Sequence, residues 1–354
     1  MDFIFFATTL VKILVIWGAI VTVVPVMNWV ERRGAALIQD RPGPNRVGPF
    51  GLLQPIADFI KFLWKEDPVP NQVNKLLYNL APFIGFIPAS LITAALPVGD
   101  YAEVFGRQIY LQIADIPVGI LFILAIGSLG IYGILFGGWA SNNKFSMLGA
   151  MRSSSQIISY EIPLGLAAVG AVMIYGTYSL REMALYQEGT IWGILPRWGI
   201  FYQPLGFLVF FISSFAETNR LPFDLPETEA ELVAGFHTEY GSMKFAMFMM
   251  SEYMNLATIS GLMVTLFFGG WHLPWITDAQ LLEWLGSRNL LALVQVLVFS
   301  VKVGIALCVY VWVRWTVPRF RFDQLMDLAW KNLIPLGMVN LVATAILLYF
   351  MEGK

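Results

Sequence analysis

The sequence predicts an all-α polytopic membrane protein with eight transmembrane helices, a cytoplasmic-side amphipathic helix and both termini on the outer side. Composition is the first reason. Of the 354 residues, 57% are apolar and 13% charged, about half the charged share of an average soluble domain, and the mean hydropathy is +0.67. The second reason is eight apolar stretches, at roughly 3–30, 80–96, 117–140, 156–178, 204–216, 245–270, 290–313 and 333–350, long enough for a hydrocarbon core of about 30 Å. The third is the distribution of Lys and Arg. If all eight stretches cross, the segments after spans 1, 3, 5 and 7 hold 15 of these residues and the other side holds 5, which assigns the richer side to the cytoplasm.

Taken in order, the first span begins at Met1-Asp2-Phe3. It lacks the basic start of a cleaved signal peptide and is expected to be retained. Residues 52–66 are too short and too charged to cross, but Leu52, Ile56, Phe59, Ile60 and Leu63 recur at helical spacing away from Asp58, Lys61 and Lys65. That pattern predicts an amphipathic helix lying at the cytoplasmic interface. Pro25, Pro163 and Pro335 fall inside spans, where kinks are expected. The outer loops at 97–116 and 179–203 contain Tyr110, Trp192, Trp198 and Tyr202, suited to an interfacial aromatic belt. Span lengths near 20 residues exclude barrel strands. No linker, repeat or low-complexity tract interrupts the chain, so residues 1–354 are read as one helical bundle.

Scarce residue types exclude much redox chemistry. One cysteine, Cys308, and two histidines, His237 and His272 at opposite ends of span 6, cannot supply an iron–sulfur cluster, a disulfide or a bis-histidine haem within this chain. No metal-ligand set is expected, and electron carriers would belong to other chains.

The most informative segment is the acidic loop 217–239, whose first fifteen residues hold Glu217, Asp224, Glu227, Glu229 and Glu231 against Arg220 alone. Carboxylates gathered this closely resist ionising together and respond to any charge placed beside them. Pro226 also suits a first helical turn, which would make Glu227 and Glu229 ordinary early-helix acids. Deeper in the spans lie Glu161 and Glu252, each costing roughly 2.5–3.5 kcal/mol at mid-membrane. They are expected to face the bundle interior and, with Glu217, to form a carboxylate chain leading inward. The alternative is a structural pair with Lys302 or Lys12, or snorkelling. At the cytoplasmic edge, Glu31-Arg32-Arg33 runs into Arg41-Pro-Gly-Pro-Asn45, and Arg314 precedes Arg319-Phe-Arg321. Arginines here satisfy topology but also offer planar donors for carboxylates or carbonyls.

These segments, with Val47-Gly-Pro-Phe-Gly-Leu-Leu-Gln-Pro-Ile-Ala-Asp58, Gly137-Gly-Trp-Ala-Ser141, Ser159-Tyr-Glu161, Ala216-Glu-Thr-Asn-Arg-Leu-Pro-Phe-Asp224, Glu229-Ala-Glu-Leu-Val-Ala-Gly-Phe236 and Pro318-Arg-Phe-Arg-Phe-Asp-Gln-Leu325, resemble a family of membrane-arm subunits, the quinone-chamber subunits of proton-pumping NADH:quinone oxidoreductase, respiratory complex I. The resemblance covers essentially the whole chain. It implies eight spans and an interfacial helix, a cytoplasmic end that docks a hydrophilic arm, and a quinone chamber entered near span 1, span 6 and that helix. It further implies that Arg32, Arg41, Arg220, Phe223, Asp224, Arg319 and Arg321 line or support the chamber, and that Glu161, Glu217, Glu227, Glu229, Glu231 and Glu252 carry protons. Quinone would be the substrate. Iron–sulfur clusters and flavin would sit in partner subunits, the partners being an iron–sulfur subunit at the quinone site, small membrane subunits and antiporter-like subunits, with lipid around and no nucleic acid. The implied location is a bacterial inner membrane or an organellar one. Two departures are small: Glu31-Arg32-Arg33 where Glu-Arg-Lys is frequent, and Pro226 where many relatives differ. Two other readings share these residues, the equivalent subunit of a membrane-bound hydrogenase or ferredoxin-driven complex, and a stand-alone cation/proton antiporter.

Overall fold

The computed structural model describes residues 3–104, 106–191, 193–226 and 229–352. The chain is mostly helical, with six helices long and apolar enough to cross a membrane. They are α1 (Phe3–Ile38), α3 (Lys75–Ala95), α4 (Gly119–Ala140), α5 (Lys144–Tyr175), α10 (Arg288–Thr316) and α11 (Phe322–Phe350). The other main helices are α2 (Gln54–Trp64), α6 (Leu180–Tyr186), α7 (Pro204–Glu217), α8 (Ser242–Phe267) and α9 (Asp278–Leu285). α7 is apolar but has only 14 residues. α8 has 26 residues, yet it carries Glu252 and Asn255 and is buried almost without a break from Ser251 to Phe267. A helix wrapped by other helices needs no lipid-facing apolar surface, so its side chains can be more polar than those of a peripheral span.

Two helices organise the packing. α8 touches α1, α2, α3 and α10, while α5 touches α4, α7 and α11, and α7 also reaches α8. The largest buried core joins both groups through Tyr160, Leu164, Phe210, Phe215, Phe223, Tyr253 and Tyr310.

α1 and α5 remain helical through Pro25 and Pro163. α5 starts twelve residues before the apolar stretch does, because a polar segment, Lys144 to Ser155, extends the helix and packs on residues 235–237. α11 likewise begins at Phe322 and passes through a π-helical stretch, Leu328–Leu333, ahead of Pro335. A helix forms at the place expected for the amphipathic one, and Leu52, Ile56, Phe59, Ile60 and Leu63 are exposed, facing away from the bundle. The loop 97–116, expected on the outer side, departs from an all-helical reading: Tyr101–Val104 and Arg107–Tyr110 pair as a short antiparallel hairpin.

The Pro/Gly run after α1 folds back on its own helix. Trp29 Nε1 and Arg33 donate to the Phe50 carbonyl at 3.0 and 3.2 Å. Gly51 adopts φ +74°, and a Cβ there would stand 2.3 Å from the Pro44 carbonyl oxygen, so this turn admits glycine alone.

Candidate functional site

The loop after α7 is held through its backbone by α5 and by the segment before α11. Buried Gln156 on α5 donates to the carbonyls of Ala216 and Phe223, both at 2.8 Å. Phe320 N donates to Pro222 O at 3.2 Å, and Tyr160 Oη donates to Leu325 O at 2.8 Å. Phe223 is thereby packed between Tyr160 and Phe320, with ring centroids 5.4 and 5.5 Å away. Asp224 beside it is buried and pairs with Arg319 at 2.9 Å. Burial pushes its carboxyl above the ordinary range, against the opposing pull of Arg319, Arg314 and Arg220.

Arg220, from the same loop, is at the centre of a charge cluster. It contacts Glu31 on α1 at 2.8 Å and Glu252 on α8 at 2.9 Å, and its guanidinium lies 4.2 Å from the Tyr253 ring centroid. Glu31 also accepts from Tyr253 Oη at 2.8 Å and from Arg314 on α10 at 2.9 Å. Four elements thus converge on two acids and two arginines. Among the described residues neither carboxylate of that cluster pairs with a lysine. Lys302 donates instead to the carbonyls of Phe268, Gly270 and His272, and Lys12 to those of Gln112 and Ile113. The alternative pairing of Glu161 or Glu252 with these lysines is therefore wrong: each amine ends at a helix terminus or loop whose free carbonyls already satisfy it.

From the cluster a row of acids runs inward along two cavities. The smaller, about 50 Å³, is lined by Glu252, Glu217, Asn255 and Asn219 among others. The larger, about 310 Å³, is lined by Glu217, Glu161 and Asn255, with aliphatic walls from Ile92, Leu124 and Leu164. Glu217, Asn255 and Gly127 line both. Glu161 Oε1, Glu217 Oε2 and Asn255 Oδ1 are buried and have no hydrogen-bond partner among the described residues. Buried oxygens of this kind are normally satisfied by water when the space is polar and roomy enough.

The remaining sequence candidates are dispersed. Arg32 pairs with Asp58 at 2.8 Å, joining α1 to α2. Arg41 is exposed and donates to Gln39, and Arg321 is exposed beside Asp323 at 3.4 Å. Glu231 pairs with Arg152 at 2.6 Å on the surface. Glu229 opens the short helix Glu229–Leu232, and Glu227 lies outside the described residues. Sequence reasoning named Glu31 and Arg314 only as members of the edge motifs, and did not single out Tyr253, Gln156 or Asn255. Glu31 had a signal, since it lies in a 36-residue helix, and Asn255 shares a helix face with Glu252 by its i+3 spacing. Tyr253 and Gln156 had none beyond position.

A multi-pass helical membrane protein with a buried arginine–carboxylate cluster opening onto an acid-lined interior is the class these features define. A family model described as NADH dehydrogenase matches residues 11–345, and the chain belongs to that family. Curated relatives named as the H subunit of NADH-quinone oxidoreductase include that of Bdellovibrio bacteriovorus, 48% identical over 96% of this chain and 95% of the relative. That of Solibacter usitatus, carrying the same name with the number 1, is 45% identical over 97% of each. The corresponding Cytophaga hutchinsonii protein, also numbered 1, is 49% identical over 90% of each.

Proposed function

We propose that this chain is the quinone-chamber and proton-coupling subunit of an energy-converting NADH:quinone oxidoreductase. The observation that carries the reading is the row Glu252, Glu217, Glu161, set along two adjoining cavities that begin at the Arg220 cluster. In this reading all eight apolar helices cross a bacterial inner membrane, both termini are outside, and the acidic loop meets the hydrophilic arm on the cytoplasmic side. Electrons arrive from a partner iron–sulfur subunit, because one cysteine and two histidines separated by α8 cannot hold a cluster here. Small membrane subunits and antiporter-like subunits adjoin the chain.

Quinone reduction adds negative charge near Asp224, Arg319 and Arg220. Arg220 is shared between Glu31 and Glu252, so an anion that draws the guanidinium toward itself leaves Glu252 without its counter-charge. An uncompensated buried carboxylate takes up a proton, and Glu217 and Glu161 carry it along the cavities. Moving a charge against 100 mV needs about 2.3 kcal/mol, within reach of the roughly 3–5 kcal/mol typical of breaking a buried ion pair. Two membership readings separate on purification: mass spectrometry of the intact complex is expected to show iron–sulfur and antiporter-like partners, whereas a stand-alone antiporter would run alone. The site reading is tested by Glu217→Gln in assembled complex, which is expected to cut quinone-coupled pumping in proteoliposomes. Unaltered turnover and pumping would refute it.

A further inference from the structure

At the C-terminal end of α8, some 22 Å of helix beyond Glu252 at about 1.5 Å per residue, a second group of titratable side chains lies outside the chemistry above. Lys302 fixes the turn after α8 through the carbonyls of Phe268, Gly270 and His272, at 2.7, 3.0 and 2.6 Å. This turn places the His272 imidazole, only 1% exposed, beside Asp278 at the start of α9. His272 Nδ1 stands 3.3 Å from Asp278 Oδ1, yet among the described residues neither imidazole nitrogen nor that oxygen has a hydrogen-bond partner. The other Asp278 oxygen accepts from Gln295 Nε2 at 2.7 Å, which orients the carboxylate. Glu188, just after α6, accepts from the Asp278 backbone N–H at 2.8 Å. One ligand atom each from Glu188, His272 and Asp278 lies within 4.8 Å of the others.

We propose that Glu188, His272 and Asp278 form a binding site for a divalent transition ion. A buried imidazole and carboxylate oxygen left without hydrogen bonds are costly, and a shared cation satisfies both. One imidazole with two carboxylates suits Zn²⁺, which takes nitrogen and oxygen ligands at about 2.0–2.2 Å and accepts water as a fourth. Gln295 fills the outer-shell role of a group that holds a ligating carboxylate in place. The two acids outweigh the nearby Lys302 ammonium, so the group is net negative before an ion enters. Glu188 lies far from the other two in the chain, and His272 and Asp278, six residues apart, make no metal motif alone, which is why the sequence showed no metal spacing. A bound ion would clamp α6, the turn after α8 and α9 together.

The test is equilibrium binding of ⁶⁵Zn²⁺ to the purified, chelator-washed complex, parent against His272→Gln, Asp278→Asn and Glu188→Gln. The parent is expected to bind one more tight equivalent than His272→Gln, with at least about tenfold weaker binding in the two carboxylate variants. X-ray absorption of the parent-specific zinc should report one nitrogen-type and two carboxylate ligands. Equal zinc uptake by parent and variants, or no micromolar binding by the parent, would overturn the site. Glu188→Gln alters a half-exposed residue after a helix and keeps the test informative should either of the other variants fail to assemble.

Discussion

Glu31 and Glu217 are both acids within the same bundle, but the protein treats them oppositely. Glu31 is bound by Arg220, Arg314 and Tyr253, whereas Glu217 makes no ion pair among the described residues, leaves one oxygen without a hydrogen bond and borders two cavities. A fully partnered buried charge is costly to disturb and suits a fixed anchor. A buried carboxyl facing open volume can gain or lose a proton while its surroundings stay in place. Position in the membrane alone does not distinguish these roles; the partners do.

The largest effect should come from attacking the anchor. Arg220→Met leaves Glu31 and Glu252 without their shared counter-charge, a change of the kind that costs about 3–5 kcal/mol. Native gels and thermal melts of the purified complex are expected to show poor assembly and a lower Tm; parent-like behaviour would mean that the cluster carries no stabilising charge. Next is the contrasting site, where Glu217→Gln should leave assembly intact and lower pumping at least about tenfold, in the range of lost acid–base function. If Glu217→Gln instead fails to assemble as Arg220→Met does, the distinction between anchor and carrier disappears.

A smaller effect is expected outside the spans at His237. Burial pushes this imidazole from 6.5 down to about 4, so the folded form stays neutral where the unfolded chain is protonated. Above about pH 6.5 the group adds no slope; as pH falls from there toward about 4, stability should decline by up to about 1.4 kcal/mol per unit. His237→Gln should flatten that part of a Tm-against-pH curve, and an unchanged curve would show that the imidazole titrates normally. The smallest effect belongs to Arg321, exposed and 3.4 Å from Asp323. Arg321→Ala should alter stability by less than about 0.5 kcal/mol and leave turnover of the isolated complex near the parent value. A marked rise in KM for quinone would return Arg321 to the chamber.

Much of this contrast was legible in the residues. Peripheral helices such as α1 and α10 announce themselves because lipid demands apolar side chains on their outer faces. Glu161, Glu217 and Glu252 stood out because acids among such residues are rare. α8 was placed to within three residues by its apolar stretch, 245–270 against Ser242–Phe267, even though its neighbours, not lipid, surround Glu252, Asn255 and its serines and threonines. The ends of α5 and α11 extended past the apolar stretches because polar helix continues beyond the hydrocarbon edge. Glu31 and Arg314 read as ordinary membrane-edge charges, and only the tertiary approach of α1, α10 and the loop at Arg220 converts them into one cluster. Arg41 and Arg321 show the converse, charged positions within recognisable motifs that the fold leaves on its surface.

The division of the bundle around α5 and α8 has a mechanical consequence. Glu161 belongs to one group of helices, Glu252 to the other, and Glu217 is carried at the end of the short helix that spans the seam. α3 and α4 pack tightly across this seam, where a Cβ at Gly133 would strike the Gly85 backbone, so helix packing sets the gaps between successive acids.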